Sequence, residues 1–451
     1  MPQERIRALS PAKRVRTFEE VRLGLKKGEA IENAKIFLER ERSVKGSGCP
    51  LGTSYFDVLR LLAKGDCSGA YEKLLETNPL PGITGRVASD PYEVTQVYNR
   101  QGQRISLRGI ERFLDDMIPA GKADLSSRRG RQKIAIVGSG VSGLSAASWL
   151  VRAGHSVTVL ESAHVLGGSL SYAYGEFSIP ERALRVLLER LRVQGVQFMS
   201  NTLVGRAPTL VELADEKGFS AVLLATGSGM VKPLLIPGDA SAGVLPADEA
   251  MKLWRWMRAG QESYTTSAFL GGKVIVVGSG TIAFEVARTA VRLGKEVMIL
   301  VRGAENEIKA PASIVREAFE EGIKIKTFAR PVKVEADSSG CVKGLVCHIL
   351  DYRVDQAGHL NVVDEDDSEL LLEAQTIINA SGHEPETLVL KGTPGLEFNE
   401  QGCVVVKDGG AATTMRKVFA AGRVTNLDFG LVEDILSAKR AAGEIEKFFH
   451  S

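Results

Sequence analysis

Cysteine, histidine and long apolar runs are scarce in this chain, and each scarcity closes off a class of chemistry. Five cysteines, Cys49, Cys67, Cys341, Cys347 and Cys403, are spread over 451 residues. None stands in a C-x-x-C pair, so a redox dithiol beside a flavin is not expected. Their odd number and irregular spacing argue against a disulfide framework and for a reducing, cytoplasmic setting. Cys341 and Cys347 flank Val342-Lys343-Gly344-Leu345-Val346, which reads as a hairpin. The six histidines show no metal-ligand spacing, so no metal site is expected. No run of about 18 apolar residues occurs, so neither a spanning helix nor a membrane partner is expected. Met1 to Arg7 is charged with no apolar stretch behind it, unlike a secretory signal. An excess of either charge is missing too: 57 Lys and Arg stand against 55 Asp and Glu, a net +2 that offers nothing to nucleic acid. One basic cluster, Arg128, Arg129, Arg131 and Lys133, reads as a solvated linker or as a docking patch for an acidic partner.

Glycine, by contrast, is placed with purpose. Two β-branched runs end in glycines and then become helical. The first is Lys133-Ile134-Ala135-Ile136-Val137-Gly138-Ser139-Gly140-Val141-Ser142-Gly143. The second is Lys273-Val274-Ile275-Val276-Val277-Gly278-Ser279-Gly280-Thr281-Ile282-Ala283. In such a fingerprint the first glycine permits a tight strand-to-helix turn, and the second lets backbone approach a pyrophosphate. The third position packs the helix on the strand. The pyrophosphate then faces unpaired N–H groups at the helix N-terminus. After the first fingerprint a helix over about 141–153 ends at Gly154. A strand over 155–161 then ends in Glu161, near the spacing of about 20 residues expected for a ribose-binding acid. Two such sites in one chain let it hold a flavin and a nicotinamide together and pass a hydride between them.

The length suggests about three domains. Helical periodicity covers Glu19 to Glu39, Tyr55 to Lys64 and Ala70 to Glu76, Pro79-Leu80-Pro81-Gly82 reads as a loop, and a helix resumes over Arg108 to Met117. Strands ending in small-residue turns follow at Ala221–Gly227, Thr376–Gly382 and Val418–Gly422, and Val432 to Phe449 closes the chain as a helix. The expected fold is α/β. A helical N-terminal domain over 1–125 precedes two Rossmann-like domains with doubly wound parallel sheets. The first takes 126–246 and 375–451, and the second, 247–374, is inserted within it.

The residues resemble the small (beta) subunit family of NADPH-dependent glutamate synthase and its related flavin–nicotinamide oxidoreductases. The likeness runs through Thr17-Phe18-Glu19-Glu20-Val21, Gly48-Cys49-Pro50, Gly65-Asp66-Cys67-Ser68-Gly69-Ala70-Tyr71, Asn78-Pro79-Leu80-Pro81 and Gly109-Ile110-Glu111-Arg112-Phe113. Gly167-Gly168, Ala225-Thr226-Gly227 and Ile236-Pro237-Gly238 extend it. The resemblance implies FAD at Gly138, Ser139, Gly140, Gly143, Glu161, Gly168, Leu170, Thr226, Gly227, Gly422, Arg423 and Leu431. It implies NADP(H) or NAD(H) at Gly278, Ser279, Gly280, Thr281, Ile282, Arg302 and Gly382. A protein redox partner would take or supply the electrons. No catalytic side chain is singled out.

Three departures qualify that picture. The family places cluster-binding cysteines where this chain has Phe37, Arg40, Lys45, Thr84, Ala88, Val94 and Tyr98, and only Cys49 survives. A cubane needs four thiolates, so the expectation is a domain that keeps its shape without iron–sulfur clusters. Second, Gly422-Arg423 stands where the family has Gly-Asp, whose acid accepts from the flavin's ribityl chain. Arginine can only donate, so Arg423 either shifts the flavin's potential as a nearby cation or points outward. Third, Val301-Arg302 occupies the end of the second domain's second strand, without an acid to select NAD. Arg302 favours NADP(H) by pairing with a phosphate, or is a solvated strand end. The function expected is a flavoprotein subunit passing hydride between NAD(P)H and FAD and electrons to or from a partner. The alternative is an FAD-binding docking subunit without turnover.

Overall fold

The computed structural model describes residues 7–40, 49–87, 105–119, 132–258, 271–354, 360–385, 387 and 390–450. The N-terminal part is helical: α1 Pro11–Arg14, α2 Lys27–Arg40, α3 Tyr55–Ala63, α4 Cys67–Leu75, α5 Pro81–Val87 and α6 Leu107–Met117. Two expectations are corrected here. Pro81 opens α5 rather than extending a loop, because its missing N–H would have no partner in a first helical turn anyway. The helix expected from Glu19 begins only at Lys27, since the preceding segment makes an antiparallel bridge between Ala8 and Arg22. Asp66 and Ser106 cap α4 and α6 by accepting from the N–H groups of Gly69 and Gly109.

The chain then winds through β1 Lys133–Val137, α7 Val141–Arg152, β2 Ser156–Leu160, α8 Ser169–Tyr172, α9 Glu181–Val193, β3 Gln197–Met199 and β4 Ala221–Leu224. After β5 Met230–Val231 come β6 Val244–Pro246, α10 Ala247–Arg258, β7 Lys273–Val277, α11 Thr281–Arg292, β8 Glu296–Leu300, α12 Ala312–Glu320 and β9 Lys324–Lys326. Three strands follow, β10 Ala329–Ala336, β11 Val342–Val354 and β12 Leu360–Glu373. The chain ends with β13 Thr376–Asn379, β14 His383–Glu384, β15 Val418–Ala420 and α13 Leu431–Phe448.

Two five-stranded parallel sheets result, in the orders β15-β4-β1-β2-β3 and β6-β13-β7-β8-β9. The first sheet is left after β4 and regained at β15, so the second lies within it in sequence. The sheets assign β6 and β13 to the second unit, whereas the sequence boundaries gave both to the first. These strands are three and four residues long, and such short apolar runs carry no sign of the sheet they join. The antiparallel ribbon of β5 with β14 links the two units.

The hairpin expected at Val342–Val346 is instead the start of the long strand β11, which pairs with β10 and β12 in an antiparallel sheet. The turn lies just before it, where Asp337 Oδ1 accepts from the N–H groups of Ser339 and Cys341. That Asx-type turn, not the flanking cysteines, was the signal. The basic cluster at Arg128, Arg129 and Arg131 lies outside the described residues.

Among the described residues no helix is long and apolar enough to cross a membrane.

Candidate functional site

The β-branched run of β1 is buried from Ile134 to Val137, and it delivers the first glycine loop to the sheet's C-terminal edge. Gly138 has φ +106°, and a Cβ there would stand 2.4 Å from the Ala225 carbonyl oxygen. A Cβ on Gly143 would stand 2.0 Å from the Gly138 carbonyl oxygen. These two glycines are fixed by the protein's own packing. Gly140 differs: it precedes α7 with φ −73°, and a Cβ there meets nothing within 4 Å. Its open Cβ position leaves the space that backbone needs to approach a pyrophosphate.

A cavity of about 520 Å³ opens over this loop. Gly138, Ser139, Gly140, Glu161, Gly168, Thr226, Gly227 and Arg423 line it, together with Ile282 from the second fingerprint. Gly143, Leu170, Gly422 and Leu431 do not line it; Leu170 is 1% exposed and packs in the core. Gly422, at φ +81°, has its Cβ position blocked by Ser142 Oγ at 2.1 Å. Of the second fingerprint, only Ile282 reaches the cavity, while Gly278, Ser279 and Gly280 sit in the loop leading into α11 and Thr281 opens the helix. Gly280 repeats the behaviour of Gly140, with no atom within 4 Å of a Cβ. Gly278 repeats that of Gly138, its Cβ position lying 2.3 Å from the Ala380 carbonyl oxygen. Gly382 follows β13 and its carbonyl accepts from Lys232 N–H. Arg302 is exposed just beyond β8, whereas Val301 beside it is 2% exposed in the core.

Glu161 is more occupied than a simple ribose acceptor would be. Its Oε2 accepts from Ser139 N–H at 2.9 Å and Ser139 Oγ at 2.6 Å. Its Oε1 accepts from Ala163 N–H at 2.9 Å and Ser162 Oγ at 3.1 Å. All four acceptor directions of the carboxylate are used. Two of the donors are serine hydroxyls, which a ribose hydroxyl can replace without stranding a backbone group. Glu161 therefore positions the glycine loop as well as facing the cavity.

Sequence reasoning missed several wall residues. Asp248, Lys252 and Arg255 come from α10, and His383 from β14, so elements of the second unit face the first unit's cavity. Lys252 bonds Asp248 at 2.9 Å and stands over the Tyr172 ring at 4.7 Å. Arg255 donates to the Tyr174 carbonyl at 2.8 Å. Burial lowers the His383 imidazole below its ordinary range, with the Arg423 cation adding to the effect. The sequence carried one signal for this wall: Asp248, Lys252 and Arg255 fall at helical spacing on one face of the segment ahead of the second fingerprint. Arg423 points into the cavity rather than outward. Its Nε donates to the Phe429 carbonyl at 2.7 Å and lies 3.8 Å from Asp434 Oδ2.

Two parallel sheets, each with a glycine loop at the mouth of a helix, and one cavity walled by both units, define an α/β oxidoreductase of the two-dinucleotide class. The chain belongs to the pyridine nucleotide-disulphide oxidoreductase family, whose profile matches residues 132–444, more than half of its length. It is a flavin-dependent NAD(P)H oxidoreductase of that kind. A second profile, dihydropyrimidine dehydrogenase domain II, 4Fe-4S cluster, matches residues 14–122. That description does not bear out the expectation of a cluster-free domain.

The chain is 28% identical over 428 residues to the NADP(+)-dependent formate dehydrogenase subunit beta of Moorella thermoacetica, covering 88% of this chain and 58% of that one. It is 29% identical over 431 residues to the glutamate synthase [NADPH] small chain of Mycobacterium tuberculosis, covering 89% and 85%. In fold it is similar to Mycobacterium tuberculosis FprA in complex with NADPH, with a TM-score of 0.59 at 17% identity, covering 71% of this chain and 85% of that one.

Among the described residues, two positions that the resemblance assigns to cluster cysteines hold Phe37 and Thr84. Phe37 is 4% exposed within the helical core. Thr84 is fully buried; its Oγ1 donates to Glu111 Oε2 at 2.7 Å and accepts from Asn78 Nδ2 at 2.7 Å. Tyr55 donates to the other oxygen of Glu111. Residues 14–122 contain two cysteines, Cys49 and Cys67. Lys45, Ala88, Val94, Tyr98 and the side chain of Arg40 lie outside the described residues.

Proposed function

We propose that the chain binds FAD in the cavity over its first glycine loop, binds NAD(P)H at its second, and exchanges electrons with a partner protein without an iron–sulfur cluster of its own. The observation that carries this reading is the shared cavity, lined by Gly138 to Ser142 from one unit and by Asp248, Lys252, Arg255, Ile282 and His383 from the other. Flavin, when bound, supplies a two-electron acceptor that can hand electrons on. The chain's part is to hold, orient and shield. The N-termini of α7 and α11 offer backbone N–H groups to two pyrophosphates. Glu161 braces the first loop and faces the sugar. Lys252, Arg255 and Arg423 place positive charge on the cavity wall, where it favours added electron density.

The cluster-free reading rests on the thiolate count and on the satisfied network around Thr84. A [4Fe–4S] cluster needs about four thiolates, and residues 14–122 hold Cys49 and Cys67 alone. Electrons must then leave from the flavin to an acceptor that the partner brings close. Anaerobic purification followed by flavin, iron and acid-labile sulfide assays is expected to give about one FAD per chain and no iron. Stoichiometric iron and sulfide would overturn this part. If neither NADPH nor NADH bleaches the bound flavin, even with the native partner present, the chain is a docking subunit.

Arg302 is proposed to set the preference for NADP(H). It is exposed at the end of β8, and a charge-assisted bond to a ribose phosphate contributes on the order of 1.5–3 kcal/mol. Arg302→Ala is expected to weaken NADPH binding by roughly tenfold to a hundredfold and to leave NADH nearly unchanged. Val301 is too buried to carry a selecting acid, so inverting the preference calls for Arg302→Glu. Flavin-reduction titrations measure both constants. Equal loss of both cofactors in Arg302→Ala would remove the role.

A further inference from the structure

One group on the cavity wall is out of balance. Asp434 lies in the first turn of α13 and lines the cavity, yet it is only 8% exposed. Its Oδ1 is buried and has no hydrogen-bond partner. A buried carboxyl with an unused oxygen costs stability unless something outside the chain completes it. Its surroundings say what that is. A Cβ on Gly422 would stand 2.1 Å from Ser142 Oγ and 3.1 Å from Asp434 Oδ1, so the carboxyl sits against the second residue of α7. The N-terminus of α7 is the phosphate end of the site. A carboxylate repels phosphate and welcomes a donor, so the group it meets is a hydroxyl next to the pyrophosphate. Between the ring and the pyrophosphate, flavin dinucleotide carries a sugar-alcohol chain.

We propose that Asp434 is a flavin-binding carboxylate: it accepts a hydrogen bond from a hydroxyl of the flavin's sugar-alcohol chain, with Arg423 as the flanking cation that keeps it ionised once the flavin is seated. The inference rests on the reading that this cavity takes FAD. Arg423 is held for that task by its bond to the Phe429 carbonyl, which fixes Nε 3.8 Å from Asp434 Oδ2.

Burial pushes the Asp434 carboxyl up to about 7; the Arg423 cation, the Arg423 backbone N–H and the Ser142 hydroxyl oppose that rise, and Glu433 on the same helix adds to it. The other groups facing it are Ser142 from α7 and, through Arg423, Tyr174 and His383. Burial pushes Tyr174 up to about 12, so it stays neutral between pH 6 and 8, and burial lowers His383. A ligand hydroxyl that donates to the carboxylate binds the ionised form. Affinity therefore rises with pH up to about 7 and levels above it, a gain of about tenfold between pH 6 and 8.

The test is an FAD titration of the flavin-depleted full chain, read by flavin fluorescence at pH 6, 7 and 8. The wild type is expected to tighten about tenfold across the range. Asp434→Asn is expected to bind roughly tenfold to a hundredfold more weakly at pH 8 and to show a flat profile. Arg423→Met removes the cation, so the midpoint of its profile should move to higher pH, which keeps the test decisive should Asp434→Asn fail to fold. FAD binding by Asp434→Asn with wild-type affinity and pH dependence, or an unmoved midpoint in Arg423→Met, overturns the role of the pair alone. Failure of the wild type to bind FAD at any pH overturns the flavin reading and this inference with it.

Discussion

Gly140→Val is expected to abolish flavin binding while leaving the fold standing. The substituted Cβ meets no protein atom within 4 Å, and the residue's φ of −73° suits any side chain. The cost to the fold itself is confined to a poorer helix cap, about 1 kcal/mol. With flavin present the branched side chain occupies the space through which backbone reaches the pyrophosphate. Losing two charge-assisted N–H bonds at roughly 1.5–3 kcal/mol each weakens binding by about two to four orders of magnitude. The neighbouring glycines supply the contrast. Gly138→Val and Gly143→Val drive a Cβ to within 2.4 Å and 2.0 Å of backbone carbonyls, so these variants should fail to fold. Circular dichroism and flavin content measured on all three separate the two kinds of glycine. A Gly140→Val protein that copurifies with stoichiometric FAD would show that the cradle lies elsewhere.

That contrast also marks how far the sequence could be read. The loops at Gly138 and Gly278 were legible because strand, glycine and helix follow one another locally, and the physics of the turn acts over a few residues. The two parallel sheets were legible for the same reason. The far wall of the cavity was not. Asp248, Lys252 and His383 reach it only because α10 and the β5–β14 ribbon fold back across the first unit. Glu161 was found as an acid of suitable spacing, but its bonds to Ser139 depend on how the loop curls over the strand end. Asp434 was overlooked because an acid early in a helix reads as a favourable dipole partner. Nothing in the local sequence says that this one is buried against Gly422. Arg423 illustrates the same limit: the substitution was visible, but its direction was set by the Phe429 carbonyl and by Asp434, which are tertiary facts.

The largest loss of stability is expected from Glu321, which anchors the arginines of α11 and lies 3.8 Å from Arg14 of the N-terminal segment. Its side chain is wholly buried, and it accepts from Arg288 at 2.8 and 3.0 Å and from Arg292 at 2.7 and 3.0 Å. Arg292 also donates to the Thr17 carbonyl at 3.1 Å and stacks on Phe177 with 3.8 Å to the ring centre. Arg14 bonds Glu320, and Arg22 bonds Glu317 at 2.9 Å, so the N-terminal segment is bound into the same cluster. Glu285, on the same helix as Arg288, accepts from Gly175 N–H and Ser178 Oγ in the first unit. α11 thus presents its glycine loop at its N-terminus and, through Glu285, Arg288 and Arg292 along its length, bonds the first unit, Glu321 and the N-terminal segment.

Removing one partner from a buried ion cluster strands the rest, so Glu321→Ala is expected to cost about 3–5 kcal/mol. The pH dependence follows from the same contacts. Burial pushes the Glu321 carboxyl up, but the hydrogen bonds and charges of Arg288 and Arg292 outweigh it and hold it at about 2. A carboxyl held below its unfolded value stabilises the fold fully above about pH 4.5, and that contribution disappears as pH falls through about 2. Chemical denaturation of wild type and Glu321→Gln at pH 7, 4 and 3 tests both points. The variant should be much less stable at pH 7, and the gap should narrow as the pH falls. A gap that stays constant with pH would mean that Glu321 contributes shape rather than charge, and no gap at pH 7 would mean that the cluster does not clamp the chain.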